Sequence, residues 1–165
     1  MKKCILAVFC MLLASVGYAQ SVWPSHQVTD LNGKVKELSG LAPEKGLVLF
    51  VFWKTCCPNN ITMIDELQDV WLEHDNEERP VKVVLVSIDD QRSISRVKPI
   101  VRTNGWEFEV ILDKNMDLAR IYQVNMPPQW IACDAAGKVV YRSKITNGYL
   151  DSAVYFEELI QLITQ

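Results

Sequence analysis

Residues 51–60 read VFWKTCCPNN. Two adjacent cysteines, Cys56 and Cys57, follow an apolar run that ends in Trp53, and Pro58-Asn59-Asn60 comes next. Thiols at the end of a buried strand point to disulfide exchange, in which a thiolate attacks a disulfide sulfur and displaces a second thiolate. Redox pairs are ordinarily separated by two residues, and here nothing separates the cysteines. Three readings are open: a working thiol site, a modified one, or the remains of one.

The rest of the chain offers little competing chemistry. The five cysteines include Cys4 and Cys10, which fall in the N-terminal apolar segment, and Cys133, which sits in a strand-like run. The two histidines, His26 and His74, read as surface side chains, so a copper site of two cysteines and a histidine has little support. Asn60-Ile61-Thr62 matches a glycosylation pattern but lies in an expected helix. No cofactor or metal is called for.

The N-terminus sets the expected compartment. Lys2 and Lys3 precede an apolar run over 4–16, and Gly17-Tyr18-Ala19 carries small residues at the positions a signal peptidase reads. Residues 1–19 therefore read as a cleaved signal peptide, too short for a comfortable transmembrane span. The alternative is a lipoprotein signal, against which Cys10 comes too early in the run. Cleavage leaves one expected domain, 20–165, with a net charge of 15 − 20 = −5 after Lys2 and Lys3 are removed from the full-chain count. A mildly acidic chain without a basic run argues against nucleic acid. The expected location is periplasmic or secreted, with Cys56, Cys57 and Cys133 in an oxidising compartment. Three is an odd number, so at least one thiol is free, buried or paired with another molecule.

The elements that must position the cysteines follow from periodicity. Strands are expected at 27–31 and 34–38 around the turn Asn32-Gly33, a strong hairpin signal. The continuous apolar run 47–53 (LVLFVFW) suits a central strand covered on both faces. Ile61, Ile64, Leu67 and Trp71 recur at helical spacing. A second buried strand is expected at 81–88, a helix through Ile94, Val97 and Val101, a strand at 108–112 and a short helix at 115–123. Beyond Pro127-Pro128, strands at 130–133 and 138–142 flank Asp134–Gly137, and a last helix covers 151–164. Strands alternating with helices favour a parallel core sheet with helices on both faces, to which the final hairpin adds antiparallel strands.

Taken together, VTDLNGKVKEL, LVLFVFWKTCCPNN and VNMPPQWIACDAAGKVV resemble the exported TlpA/ResA-type thiol–disulfide oxidoreductases of the thioredoxin-like superfamily, over about 26–164. The resemblance implies an α/β thioredoxin fold: a central mixed sheet, helices on both faces and an N-terminal β-hairpin. The family pattern runs F-W-A-x-W-C-x-x-C, followed by a cis-proline six residues before an aspartate and a G-K turn. Phe52 and Trp53 match, which puts the nucleophilic cysteine at Cys57, and Pro128 lies six before Asp134. A one-residue shift would give Pro127 the cis position. The resemblance assigns attack to Cys57 and substrate docking to Pro128, Pro127 and Trp53. It also places Cys57 at the N-terminus of the helix beginning near Pro58, where unpaired N–H groups and the helix dipole favour a thiolate.

The departures from the family pattern matter as much. Asn60 stands in the resolving position, so a mixed disulfide on Cys57 lacks its usual intramolecular release. Cys56 replaces a tryptophan; it is either an alternative resolving thiol or a small residue filling the position. Val51 and Met63 stand where carboxylates linked to proton transfer occur in relatives, and Asp65 and Glu66 cannot be assumed to replace them. If Pro128 is the cis residue, Pro127 lacks the N–H that would pair with a docked strand. Cys133, five residues beyond Pro128, would lie roughly 16 Å further along an extended strand, out of disulfide reach of Cys57, and reads as a core thiol. Peroxide-reducing relatives carry a threonine or serine three residues before the cysteine and a proline seven before; here these are Lys54 and Phe50.

The expected function is thiol–disulfide exchange with protein thiols or disulfides of the cell envelope through the single nucleophile Cys57, as an isomerase or mixed-disulfide partner. The alternatives are a redox-inactive binding module on the same scaffold and a reductase that uses Cys56 and Cys57 as a vicinal pair.

Overall fold

The computed structural model describes residues 22–78, 80–144 and 151–163. The expected signal peptide lies outside the described residues. In chain order the elements are β1 (Gln27–Thr29), β2 (Val35–Glu37), β3 (Leu47–Trp53), α1 (Pro58–Glu73), β4 (Val81–Ser87), α2 (Val97–Asn104), β5 (Glu109–Leu112), α3 (Asp117–Ile121), β6 (Gln129–Asp134), β7 (Val139–Arg142) and α4 (Ser152–Ile163). Two 3-10 turns, Leu38–Leu41 and Ile94–Arg96, join them. None of the described helices is long and apolar enough to cross a membrane.

Five strands form one sheet in the order β5-β4-β3-β6-β7. β3 and β4 run parallel from Leu47↔Val81 to Trp53↔Ser87, and β4 runs parallel to β5. β6 is antiparallel to β3, from Leu47↔Asp134 to Phe52↔Gln129, and β7 is antiparallel to β6. All seven residues of β3 are buried because it is the middle strand and is covered on both faces. Alternation sorts its side chains. Leu49, Val51 and Trp53 pack with Ile64 and Leu67 of α1, Val97 and Val101 of α2 and Leu159 of α4. Val48, Phe50 and Phe52 face the opposite core, with Leu118 and Tyr122 from the α3 segment and Leu38 and Leu41 from the first 3-10 turn.

The expected hairpin forms with a three-residue loop rather than a two-residue one. Asp30 N–H donates to the Lys34 carbonyl at 2.9 Å, and Gly33 takes the left-handed conformation at φ 84° that such loops need. Asp30 Oδ1 accepts the N–H groups of Asn32 and Lys34. The hairpin then covers the free edge of β5 through the bridge Asp30↔Ile111, with Lys36 and Lys82 on either side of Glu109. The helix expected from Ile94 begins as a 3-10 turn and becomes α-helical only at Val97. Pro99 explains the break: it has no N–H to donate, and a helix starting at Val97 places it in the first turn, where no partner is required. The other expected elements agree with the structure to within about two residues.

Candidate active site: a vicinal thiol pair at a helix N-terminus

The carboxyl ends of β3, β4 and β5 meet at one edge of the sheet, and hydrogen bonds lock the loops leaving them. Ile88 N–H donates to the Trp53 carbonyl (3.0 Å), and Asp113 N–H donates to the Ser87 carbonyl (2.8 Å). The Asp113 carboxylate accepts the N–H groups of Leu118 and Ala119 at the start of α3. Ligand and catalytic sites in open α/β sheets form at this edge.

Cys57 is the residue that caps α1, with extended backbone (φ −112°, ψ 106°), and Pro58 opens the helix, where its missing N–H costs no hydrogen bond. Cys56 is exposed and Cys57 half-buried; both are free thiols, and their Sγ atoms are 3.4 Å apart in hydrogen-bond contact. The expected easy ionisation of Cys57 is opposed by its surroundings. Burial pushes the Cys57 thiol up from its ordinary value, the Cys56 sulfur raises it further, and Lys54 pulls it down. A shared proton between neighbouring sulfurs and partial loss of water both favour the neutral form.

Asn60, in the resolving position, is buried, and its Oδ1 accepts the Lys54 N–H at 3.0 Å. It therefore ties the loop that carries the cysteines to the first turn of α1. Val51 and Met63 are core residues, as their apolar character suggests: Met63 Sδ accepts the Trp130 indole N–H, and its carbonyl accepts Ser152 Oγ–H. Asp65 is engaged elsewhere, accepting the Trp106 indole N–H at 2.6 Å.

One carboxylate reaches the site from an element that motif counting does not cover. Asp89, just past β4, is 2 % exposed and accepts three hydrogen bonds: from Thr55 N–H (3.0 Å), Thr55 Oγ (2.6 Å) and Ser87 Oγ (2.9 Å). It fixes Thr55, the residue before Cys56, and its charge raises the Cys57 thiol. The available signal was Ser-Ile-Asp-Asp at the end of a buried strand, a polar cluster at the functional edge of a parallel sheet.

The Pro127–Pro128 peptide is cis, so Pro128 is the cis residue and Pro127 the residue before it. One step beyond the Phe52↔Gln129 pair, the register sets Pro128 beside Trp53. Two of the assigned docking residues are buried. Trp53 is fully buried, edge-on to Trp106 at 5.2 Å, so it supports the site from inside and offers no docking surface. Pro128 is also buried, and the surface here belongs to half-buried Pro127 and exposed Met126. Trp53 Nε1 and Gln129 Oε1 are buried with no hydrogen-bond partner among the described residues, both at this end of the β3–β6 pair. Cys133 lies apart in the α3-side core, with its Sγ 3.8 Å from Tyr122 Oη.

The model of the AhpC/TSA family matches residues 20–142, which is most of the chain. The chain belongs to the AhpC/TSA family. Within that family match, the site still has Lys54 and Phe50 at the two positions noted for peroxide-reducing relatives. No curated protein matches the sequence significantly. Among solved structures, the chain is similar to an uncharacterized thioredoxin-like protein from Porphyromonas gingivalis, at 26 % identity over 88 % of this chain and 94 % of that one, with a TM-score of 0.71. It is also similar to a secreted Mycobacterium tuberculosis disulfide oxidoreductase homologous to Escherichia coli DsbE (16 %, 84 % and 96 %, TM-score 0.67). A third likeness is to StoA from Bacillus subtilis (18 %, 84 % and 98 %, TM-score 0.64). The last two are likenesses of fold. This AhpC/TSA-family chain thus has the thioredoxin-like architecture: a mixed five-stranded sheet with helices on both faces and a small N-terminal antiparallel sheet.

Proposed function

We propose that the protein is an exported thiol–disulfide exchange protein that meets protein thiols or disulfides through Cys57. The observation that carries this reading is the placement of Cys57 as the capping residue of α1, half-exposed, with Asn60 buried and hydrogen-bonded where a second thiol would stand. The Cys57 thiolate attacks one sulfur of a substrate disulfide, the new Cys57–S bond forms as the old S–S bond breaks, and the other substrate sulfur leaves as a thiolate. A substrate thiol then releases Cys57 by attacking the mixed disulfide, so the net reaction is isomerisation. Export after cleavage at residue 19 accords with the secreted relative of like fold.

A second reading rests on the 3.4 Å between the two sulfurs. Cys56 is close enough to attack a mixed disulfide on Cys57, which would release reduced substrate and leave a Cys56–Cys57 disulfide. Turnover on a scrambled disulfide substrate and on a reducible one, measured with Cys57→Ser and Cys56→Ser, tests both readings. Loss of all exchange in Cys57→Ser and retained isomerisation in Cys56→Ser supports the first. Loss of reduction alone in Cys56→Ser supports the second. Exchange untouched by Cys57→Ser leaves a binding module.

A further inference from the structure

We propose that the cleft beside Cys56 binds a small carboxylate-bearing thiol, or its disulfide, and exchanges it with Cys56 while protein partners are met at Cys57. The inference rests on the vicinal-pair reading above. A cavity of about 440 Å³ opens between the loop after β4 and the loop after β5, with exposed Cys56 in its wall and Cys57 outside the lining. That volume suits a small molecule, and a folded protein could insert no more than a side chain.

Topology separates the two approaches. In the order β4-β3-β6, the cleft lies on the β4 side of the end of β3 and Pro127–Pro128 on the β6 side. The end of β3 thus lies between the cleft and the cis-proline turn, with Cys56 in the cleft wall. The lining carries both charges. Lys54 and Lys114 are in the wall, and neither forms an ion pair among the described residues. Asp90, held ionised by hydrogen bonds from the backbone N–H of Arg92 and from Ser93, gives a place for an ammonium group. The wall is firmly built, since Asp89 fixes Thr55 on one side and Asp113 fixes the start of α3 on the other. A small peptide thiol with carboxylates and one amine fits this pattern.

The chemistry balances. A small thiolate entering the cleft attacks Cys56 Sγ of a Cys56–Cys57 disulfide. The bond between the small thiol and Cys56 forms as the Cys56–Cys57 bond breaks, and Cys57 leaves as a thiolate that takes a proton from water. A second small thiol then attacks the adduct, which yields the small disulfide and free Cys56. In reverse, Cys56 thiolate attacks the small disulfide and releases one small thiolate.

The test reacts the reduced protein with two disulfide probes, glutathione disulfide, which carries carboxylates, and cystamine, which carries only ammonium groups. The adduct is mapped by peptide mass. The expected result is a glutathione adduct on Cys56, with the rate ratio of glutathione disulfide to cystamine falling roughly fivefold or more in Lys114→Glu, and falling in wild type as salt is raised. Equal ratios in wild type and Lys114→Glu, or an adduct placed mainly on Cys57, would overturn the proposal. The Cys57 reading is scored separately, by capture of a protein disulfide on the unmodified chain. Capture at Cys57 without selective modification of Cys56 rejects the cleft alone; selective modification of Cys56 without capture at Cys57 rejects the protein-exchange reading alone.

Discussion

Asn60 Oδ1 accepts the Lys54 backbone N–H at 3.0 Å, so the side chain standing in the resolving position is the clamp of the loop that carries the cysteines. Restoring a thiol there is therefore a double change. Asn60→Cys creates the two-residue spacing from Cys57 but removes a buried acceptor. Reduction of a protein disulfide should rise, while stability to urea falls by about 1–3 kcal/mol. Asn60→Ala should show the same loss of stability without the gain in reduction. An Asn60→Ala variant as stable as wild type would show that the clamp contributes nothing.

The Cys57 thiol is raised first by burial and next by the Cys56 sulfur. A raised thiol is protonated over a wider range, so the reactive thiolate develops only at higher pH. The rate of Cys57 alkylation by iodoacetamide should rise with a midpoint above the ordinary 9.0 of an unperturbed thiol. In Cys56→Ser the midpoint should move down, because the sulfur that holds the proton in place is gone. A midpoint unmoved by that substitution would count against coupling of the two sulfurs.

Asp89 acts on the same thiol from beneath the loop. It accepts two hydrogen bonds from Thr55 and one from Ser87, and its negative charge opposes ionisation of Cys57. Asp89→Ala should lower the alkylation midpoint of Cys57 and cost on the order of 3 kcal/mol of stability, since Thr55 N–H and two hydroxyls lose a buried acceptor. Asp89→Asn keeps one acceptor oxygen and should lower the midpoint with a smaller loss. Thermal unfolding beside the alkylation profile checks both effects, and a midpoint that rises in either variant contradicts the charge argument.

How far the sequence led is visible in these residues. The uninterrupted apolar run 47–53 marks the central strand to the residue, because a strand buried on both faces strongly favours apolar side chains along its whole length. Counting from Trp53 places Cys57 and Asn60, since loop length and helix start are local properties. Asp89 was out of reach of such counting. It is 34 residues from Thr55, and only the parallel pairing of Trp53 with Ser87 brings it under the cysteines. Burial of Pro128 was hidden, because a motif gives a residue's place along the chain and not which side faces water; burial of Trp53 follows from the apolar run and conflicts with the docking role the motif assigned it. The direction of the Cys57 shift depends on the water that burial removes and on a 3.4 Å contact, neither of which spacing reveals.

Cys133 gives a prediction independent of the site. It is fully buried, and its thiol is pushed up to about 11 from an ordinary 9.0, with burial the main cause and the Tyr122 hydroxyl acting against it. An unfolded chain would release this proton near pH 9, whereas the folded chain keeps it until about 11. Below pH 9 both states hold the proton and stability is intact; as pH rises through this window the unfolded state is favoured by losing it. Cys133 should thus lower the unfolding free energy across the window, by at most about 2–3 kcal/mol. Tyr122 and Cys57 shift in the same direction, so the informative quantity is the difference between wild type and Cys133→Ala. Urea unfolding at several pH values should give curves that converge as the pH rises from about 8 to about 11. Parallel curves would mean that Cys133 ionises in the folded protein as readily as in the unfolded chain.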